Sequence, residues 1–419
     1  MATVLADPTD FGNAPSSGPL RPGGQPGKPE TPLSEQNLPS TRSKASARQM
    51  PALELVRDLS GGQLRMHEQG EKYLPREPAE LIEDYQNRLA RSLFFNAFSH
   101  TVEGLAGFVF WRDPKMGEDV PKQIAADWEN IDNAGTHGDV FARELLQDAL
   151  TAGHAAILVD YPQVADGATR ADEIRLGARP YWIAIRKDDI LSWRTEVIAG
   201  QRVLTQLVIR ERTVEPAGEF GEKDVERYRV LRRAKGVISW SLLEVTENKS
   251  VVEVESGTYG NQVEIPVAEV ATSGRLGLFE SDSPLIDLAH INVAHYQQWS
   301  DYANSIHKTN VPIFVTTGLP QYDAQGQAAK LTLGANTALM IPDAQGRAEW
   351  VAHDGAALAG SKAALDDLKA DMATLGISML ASQKRVAETA EAKRIDKSAA
   401  DSALGVTARA LQDAIERAL

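Results

Sequence analysis

Between residues 283 and 419 the apolar residues change period twice, from helical to strand-like and back to helical, and few folds accommodate that order. Ser283 and Pro284 read as an N-cap and a first helical residue, a place where proline's missing N–H is no loss. Leu285, Leu288, Ile291, His295, Trp299 and Tyr302 follow along one stripe, so a helix is expected to about Lys308. Then come short apolar runs at 313–316, 327–333, 338–341 and 348–351, joined by Gly/Pro/Asp turns, the pattern of a compact β-rich insert. From Ser361 to Leu419 there is no proline and there are 15 alanines. Leu365, Leu368, Met372, Leu375 and Met379 make one stripe there; Leu404, Ala408, Leu411, Ile415 and Leu419 make a second, beyond a polar link at 382–391. The pattern stops in mid-stripe at Leu419, as a truncated chain would.

The preceding residues divide by composition. Eight of the 21 prolines lie between Pro8 and Pro39 among Gly, Ser and Thr, and such a segment buries too little apolar area to offset its ordering entropy. Residues 1–49 therefore read as disordered, or as an extended arm on a neighbour. From Pro51 to about Trp111 the pattern is helical, with Leu81, Ile82, Tyr85, Leu89 and Leu93 on one stripe and an apolar run at 95–110. A helix is expected over 139–152, stopped by Gly153. Short runs at 155–159, 181–185, 203–209, 228–231, 237–245, 251–254 and 263–267 read as strands. Many alternate with charges, which predicts an antiparallel sheet with one wet face. No repeat of 20–50 residues is visible.

A chain of 419 residues with 42% hydrophobic and 24% charged residues has enough material for two or three domains and a sizeable core. It holds no cysteine, which removes disulfides, thiolate metal ligands and a Cys nucleophile and fits a reducing compartment. There is no basic and apolar leader, and no window nears the ~20 apolar residues of a membrane span. With 44 Lys+Arg against 58 Asp+Glu the net charge is −14, which argues against a protein that clamps nucleic acid. DNA sliding past remains compatible with it.

Catalytic motifs fail one by one. Leu59, Ser60, Gly61, Gly62 and Gln63 spell the ABC-transporter ATPase signature, but no P-loop accompanies it; near Lys28, Pro22 and Pro29 stand where glycine and Ser/Thr belong. A helix cap and turn is the simpler account. His67 and Glu68 are followed by Glu71 rather than histidine, so the zinc-protease pattern is broken. His295, Asp301 and His307 are spaced by six, which spreads them around a helix. His154 and Asp160 bracket one strand and Asp188–Asp189 follow another; acid–base pairs could be built from them, but caps and turns use the same residues more often. No Gly-x-Ser-x-Gly elbow is present. Lys384, Arg385, Lys393, Arg394 and Lys397 flank the polar link, either as a solvated turn or as contacts to a polyanion.

Several short strings fall in order over residues 63–419: Tyr73-Leu74-Pro75-Arg76; Tyr85 with Arg88, Leu89 and Arg91; Asn96; Thr101 and Val102 before Gly104-Leu105 and Gly107; Leu158-Val159-Asp160-Tyr161-Pro162; Arg179-Pro180-Tyr181; Asp189-Ile190-Leu191 with Trp193; Ser283-Pro284-Leu285; and Glu388-Thr389-Ala390-Glu391-Ala392. Together with the element order, this succession resembles the portal proteins of tailed bacteriophages, in particular a subfamily catalogued only as a domain of unknown function.

The resemblance implies an α+β, portal-like architecture. Residues 1–49 would be the arm, 50–282 a mixed α/β wing, 283–308 a stem helix and 309–351 a small β-rich clip. Residues 352–380 would be the returning stem helix, 381–391 a tunnel loop and 392–419 a long helix rising into the wing, with the crown absent or trimmed. It further implies a closed homo-oligomeric ring of about twelve copies at one capsid vertex, assembled in the host bacterial cytoplasm and carried in the virion. Double-stranded DNA would pass through it without sequence recognition during packaging and ejection. The terminase large subunit, a head–tail connector or adaptor protein, and the major capsid or scaffold protein would be the partners. Gln383, Lys384, Arg385, Lys393 and Arg394 would face the DNA; Pro312, Phe314, Gly318, Tyr322 and Gln325 would serve docking. No catalysis, cofactor, metal or membrane is expected. The other readings are a different virion structural protein, capsid or connector, and a phage hydrolase.

Overall fold

A computed structural model describes residues 34–112, 114–117, 120–163, 169–260, 262–309, 313–317, 341, 343, 345–351, 356–376 and 405–419. Six helices come first: α1 (Lys44–Ser60), α2 (Gly62–Gln69), α3 (Ile82–Arg91), α4 (Ala97–Val109), α5 (Lys122–Asp127) and α6 (Gly138–Ala152). Strand β1 (His154–Asp160) and the short helix α7 (Arg170–Leu176) precede strands β2 (Tyr181–Arg186), β3 (Ile190–Ile198), β4 (Gln201–Ala217), β5 (Gly221–Ala234), β6 (Val237–Val245), β7 (Val251–Tyr259) and β8 (Val267–Ala271). Then follow α8 (Ile286–Thr309), β9 (Ile313–Thr317), β10 (Arg347–Val351), α9 (Ala356–Leu375) and α10, residues 405–418. The fold is α+β with antiparallel sheets. Its described residues form two compact units, one drawn from Met1–Met66, Asn96–Asn292 and Met372–Leu419, the other from His67–Phe95 and Val293–Asp371.

The first unit holds two sheets. In the three-stranded sheet β2-β1-β8, β1 is central, with Ile157 opposite Ala184 on one side and Ala268 on the other. All its residues but Val159 are fully buried, which is why its sequence is an unbroken apolar run rather than an alternation. The second sheet is the meander β3-β4-β5-β6-β7. Ala156 and Leu158 of β1, Ile185 of β2, Leu207 and Ile209 of β4, Leu231 of β5 and Trp240 of β6 share one core with Phe279. Leu191, Val208, Tyr228 and Val230, on the alternate positions, form a smaller cluster of their own. The expected sheet with one wet face is corrected at its middle: around Leu207–Ile209 both alternating sets are apolar and both faces are covered, whereas the two ends of the meander carry charge. Strand β8 also starts later than the run at 263–267, because Pro266 has no N–H to give a ladder.

Helix α1 begins inside the segment expected to be an arm. Ser43 Oγ accepts from Ser46 N at 3.1 Å, Arg42 donates to Asp188 O at 2.6 Å, and Ser46 Oγ donates to Ile190 O at 3.1 Å, tying this stretch to the start of β3. Residues 1–33 lie outside the described residues. Leu53, Val56 and Leu59 of α1 are buried, and the helix continues through Pro51 despite the backbone bond that proline removes.

The C-terminal end of α6 positions much of this unit. Gly153 has φ 100°, and a Cβ there would lie 2.4 Å from Ser281 O, so the turn into β1 admits only glycine. Among the last carbonyls of the helix Ala149 O accepts from Gly153 N at 2.8 Å, and side chains reach it and others after it. Thr272 Oγ1 donates to Ala149 O (2.8 Å), Ser283 Oγ to Leu150 O (3.0 Å) and Lys187 Nζ to Ala152 O (2.9 Å). Ser283 therefore serves both helices: its Oγ also accepts from Leu285 N at 3.2 Å, the capping bond its sequence position predicts, and α8 starts at Ile286.

In the second unit, α3 carries Arg88, whose guanidinium pairs with Glu80 at 2.8 Å and donates to Pro75 O (2.9 Å) and Ser300 Oγ (3.2 Å). Phe94 meets Tyr296 of α8 edge-on at 5.5 Å. Strands β9 and β10 form an antiparallel ribbon in which Trp350 lies opposite Phe314. The expected strand at 327–333, and all of that at 338–341 but its last residue, lie outside the described residues.

Candidate functional site

The residues that sequence alone offers for acid–base chemistry are all in the first unit, and each is engaged internally. His154 is 1% exposed, and its Nδ1 meets Ser281 Oγ at 3.1 Å. Ser281 Oγ in turn donates to Gly153 O at 3.1 Å, so the ring nitrogen is the donor of the pair. Burial, reinforced by the neighbouring Lys187 ammonium, pushes this imidazole down to about 3. It is neutral at any ordinary pH. Lys187, also buried, is lowered to about 8 by the same desolvation, which Asp282 and Asp188 oppose. Its ammonium donates to two backbone carbonyls, Ala152 O and Ser281 O (2.7 Å).

Asp188 accepts from Arg57 Nε at 2.9 Å, and Arg57 also bonds Asp148. Burial works against the Asp188 carboxylate, but Arg57 outweighs it and holds the group below its ordinary range. Asp189 is raised by burial, against the opposing pull of Arg210 (3.0 Å) and Arg212 (3.7 Å). Asp160, at the end of β1, accepts from Tyr161 N (2.9 Å), Tyr259 OH (2.9 Å), Arg229 Nη1 (3.1 Å) and Tyr181 OH (3.3 Å). Burial and the Asp160 charge raise both tyrosines. Arg229 spreads over the Trp240 ring at 5.1 Å and bonds Glu211 as well. These are strand-end and helix-end ties. Among the described residues no three His, Cys, Asp or Glu converge as metal ligands, and no helix is long and apolar enough to cross a membrane.

Of the docking residues expected from sequence, Phe314 is described. It sits in β9 with its ring 4.9 Å from that of Trp350, which is 60% exposed, beside an exposed Val315. Phe314 itself is half-buried. Pro312, Gly318, Tyr322 and Gln325 lie outside the described residues, as do Gln383, Lys384, Arg385, Lys393 and Arg394. Sequence reasoning did not anticipate Arg57, Lys187, Arg229, Tyr181 or Tyr259. Their partners are remote in the chain, and no local spacing announces them. A buried lysine on a helix end has one faint local sign, its place directly before Asp188 and Asp189 at a strand terminus.

The family described as a domain of unknown function, DUF4055, matches residues 284–419. No curated protein matches the chain. Among solved structures, the chain is similar to one described as the virion of a native gene transfer agent (GTA) particle, at 13% identity and a TM-score of 0.34, covering 74% of this chain and 76% of that one. A likeness of that degree fixes neither fold nor role.

Proposed function

We propose that the chain is a virion structural protein, and more specifically the subunit of a portal-type ring that passes double-stranded DNA and presents a docking face to other proteins. The observation that carries this reading is the order of elements in the segment matched by the DUF4055 family: a 24-residue helix α8, the β9–β10 ribbon, a 20-residue helix α9 and the helix α10. Long helix, small ribbon, long helix and final helix is the stem–clip–stem order on which the sequence resemblance rests. The Phe314–Trp350 pair, with its tryptophan exposed, suits a clip that meets partners. The net charge of −14 suits a wall that repels phosphate and lets DNA move. Engagement of His154, Asp160, Asp188 and Asp189 in internal bonds favours a passive channel over a hydrolase.

The mass and outline of the purified particle test it. A particle of about half a megadalton with a central hole, roughly twelve chains, is expected. A chain that stays monomeric at every concentration, with and without scaffold protein, overturns the reading. Within it, Lys384 and Arg385 face the DNA, and reversing both charges is expected to shorten or destabilise the packaged genome. Unchanged packaged length and retention would remove that assignment.

A further inference from the structure

The meander of the first unit is a two-ended object. Strand β4 is bonded to β3 only as far as Ile209, and β5 is bonded to β6 only from Arg227 onward. Among the described residues, six residue pairs, from Arg212 opposite Glu226 to Ala217 opposite Gly221, have no third strand bonded beside them, although at the base Arg212 reaches Asp189 at 3.7 Å and Val225 is buried. At 3.4 Å per residue they form a ribbon about 20 Å long that runs past the rest of the sheet. A lone two-stranded ribbon is marginal in water and needs something to rest on. Here Glu215 pairs with Arg227 at 2.6 Å and with Lys223 at 3.4 Å. The turn is closed tightly: a Cβ on Gly221 would lie 2.5 Å from Ala217 O. On this braced tip Phe220 is 90% exposed and Val214 58%. Residues 213–224 carry Glu215, Glu219, Glu222 and Asp224 against Lys223 alone. The tip is aromatic and acidic.

The other end of the same sheet has the opposite character. There the β3–β4 and β5–β6 turns lie side by side, and Val197 (71% exposed), Val237 (54%) and Val263 (70%) face solvent. Around them stand Arg194, Arg202, Arg232, Arg233 and Lys235, against Glu196 and Glu264. Arg194 and Arg232 are both register partners of Gln206, so they flank it on one face. Among the described residues these cations form no ion pair, and Arg233 donates only to a backbone carbonyl, Val263 O, at 2.8 Å.

We propose that the β4–β5 ribbon is a docking finger whose acidic, Phe220-bearing tip seats on the basic, valine-lined turn end of the same sheet in a second copy of the chain. The two patches are complementary in charge, both are apolar at their centre, and they sit at opposite ends of one sheet. One chain therefore cannot satisfy both by folding back, and a head-to-tail contact follows. Because such a contact leaves a finger and a receptor free at the ends of every open chain of copies, it is self-propagating until a ring closes. The inference rests on the ring reading above and supplies one of its interfaces.

Two experiments on the full chain decide it. A photoreactive benzoylphenylalanine replaces Phe220, and isotope-labelled and unlabelled chains are mixed before illumination. Cross-links between chains, landing in 194–202 or 232–237, are expected; links within one chain, or to another region, overturn the proposal. In the second, Glu219→Arg with Glu222→Arg, and separately Arg232→Glu with Lys235→Glu, are expected to raise the concentration needed for assembly by about tenfold or more. All four changes in one chain restore it. Circular dichroism confirms that each variant is folded. If the wild-type chain forms rings and both reversed variants form them equally well, the finger is wrong and the ring stands. If the wild-type chain never assembles, both fall together.

Discussion

Two regions of the molecule bury polar groups in opposite ways. Around the end of α6, in the first unit, Arg57 bridges Asp148 and Asp188, Lys187 is seated on two carbonyls, and His154 shares its proton with Ser281. Along the inner face of α8, in the second unit, both ring nitrogens of His295, the hydroxyl of Tyr296 and the indole N–H of Trp299 are buried without a hydrogen-bond partner among the described residues. The difference follows from charge. An ion in a low-dielectric interior must be matched, because leaving it alone costs several kcal/mol. A neutral ring or hydroxyl left alone costs about 1–3 kcal/mol, which aromatic stacking offsets in part. His295 stacks on Trp299 at 6.4 Å and 15° and lies 5.9 Å from Phe95. The end of α6 is therefore specified by pairings between remote residues and the His295–Trp299 stripe of α8 by shape, although Ser300 on the same helix accepts from Arg88 and Ser92.

Removing one member of a matched set should have the largest effect. Arg57→Ala leaves Asp148 buried with Arg186 at 3.5 Å as its remaining cation and strips Asp188 of its main partner. A loss of about 3–5 kcal/mol is expected, read as a lower urea midpoint together with faster amide exchange in β1. If the midpoint hardly moves, the cluster does not hold the unit together. Asp160→Asn is milder. Arg229 keeps Glu211, and the amide keeps one acceptor oxygen, while the tyrosine facing its NH2 loses an acceptor, so about 1–3 kcal/mol is expected by the same measurement.

What could be read beforehand divides along the same line. Helices α6 and α8 and strand β1 were legible because an apolar stripe or run is a local property, and the stop at Gly153 was legible because glycine alone tolerates φ near 100°. The role of Ser283 was legible only in part for the converse reason: the capping bond it accepts from Leu285 N is local, while the carbonyl it donates to, Leu150 O, is 133 residues earlier. The two-faced burial of the meander was hidden because Leu207, Val208 and Ile209 look like one short run until the register assigns alternate residues to different cores. The acidic stretch 216–222 reads locally as an ordinary turn. Only the pairing limits at Ile209 and Arg227 reveal that it ends a ribbon with no third strand bonded beside it among the described residues. The residues expected to serve docking or to face DNA rest on the resemblance, since neither periodicity nor spacing assigns them those roles.

The unmatched region is where the smallest and most discriminating effect is expected. Burial, with the Lys369 ammonium acting in the same direction, pushes His295 down to about 4. Its value in the unfolded chain is about 6.5, so the unfolded state takes up the proton first as pH falls. Stability from this residue is complete above pH 6.5 and declines as pH drops toward 4, by on the order of 2 kcal/mol, after which it levels off. His295→Phe keeps the ring between Phe95 and Trp299 and discards two desolvated nitrogens. At pH 7 it should change stability by less than about 1 kcal/mol, or raise it, and it should flatten the wild-type decline between pH 6.5 and 4. His154→Phe, by contrast, takes away the donor to Ser281 and should lower stability by about 1–2 kcal/mol already at pH 7. Parallel denaturation series at pH 7, 5.5 and 4.5 separate the two. If His295→Phe destabilises the protein at pH 7 as much as His154→Phe does, then a hydrogen bond holds the His295 ring after all. The contrast between a region ordered by pairing and one ordered by shape would then dissolve.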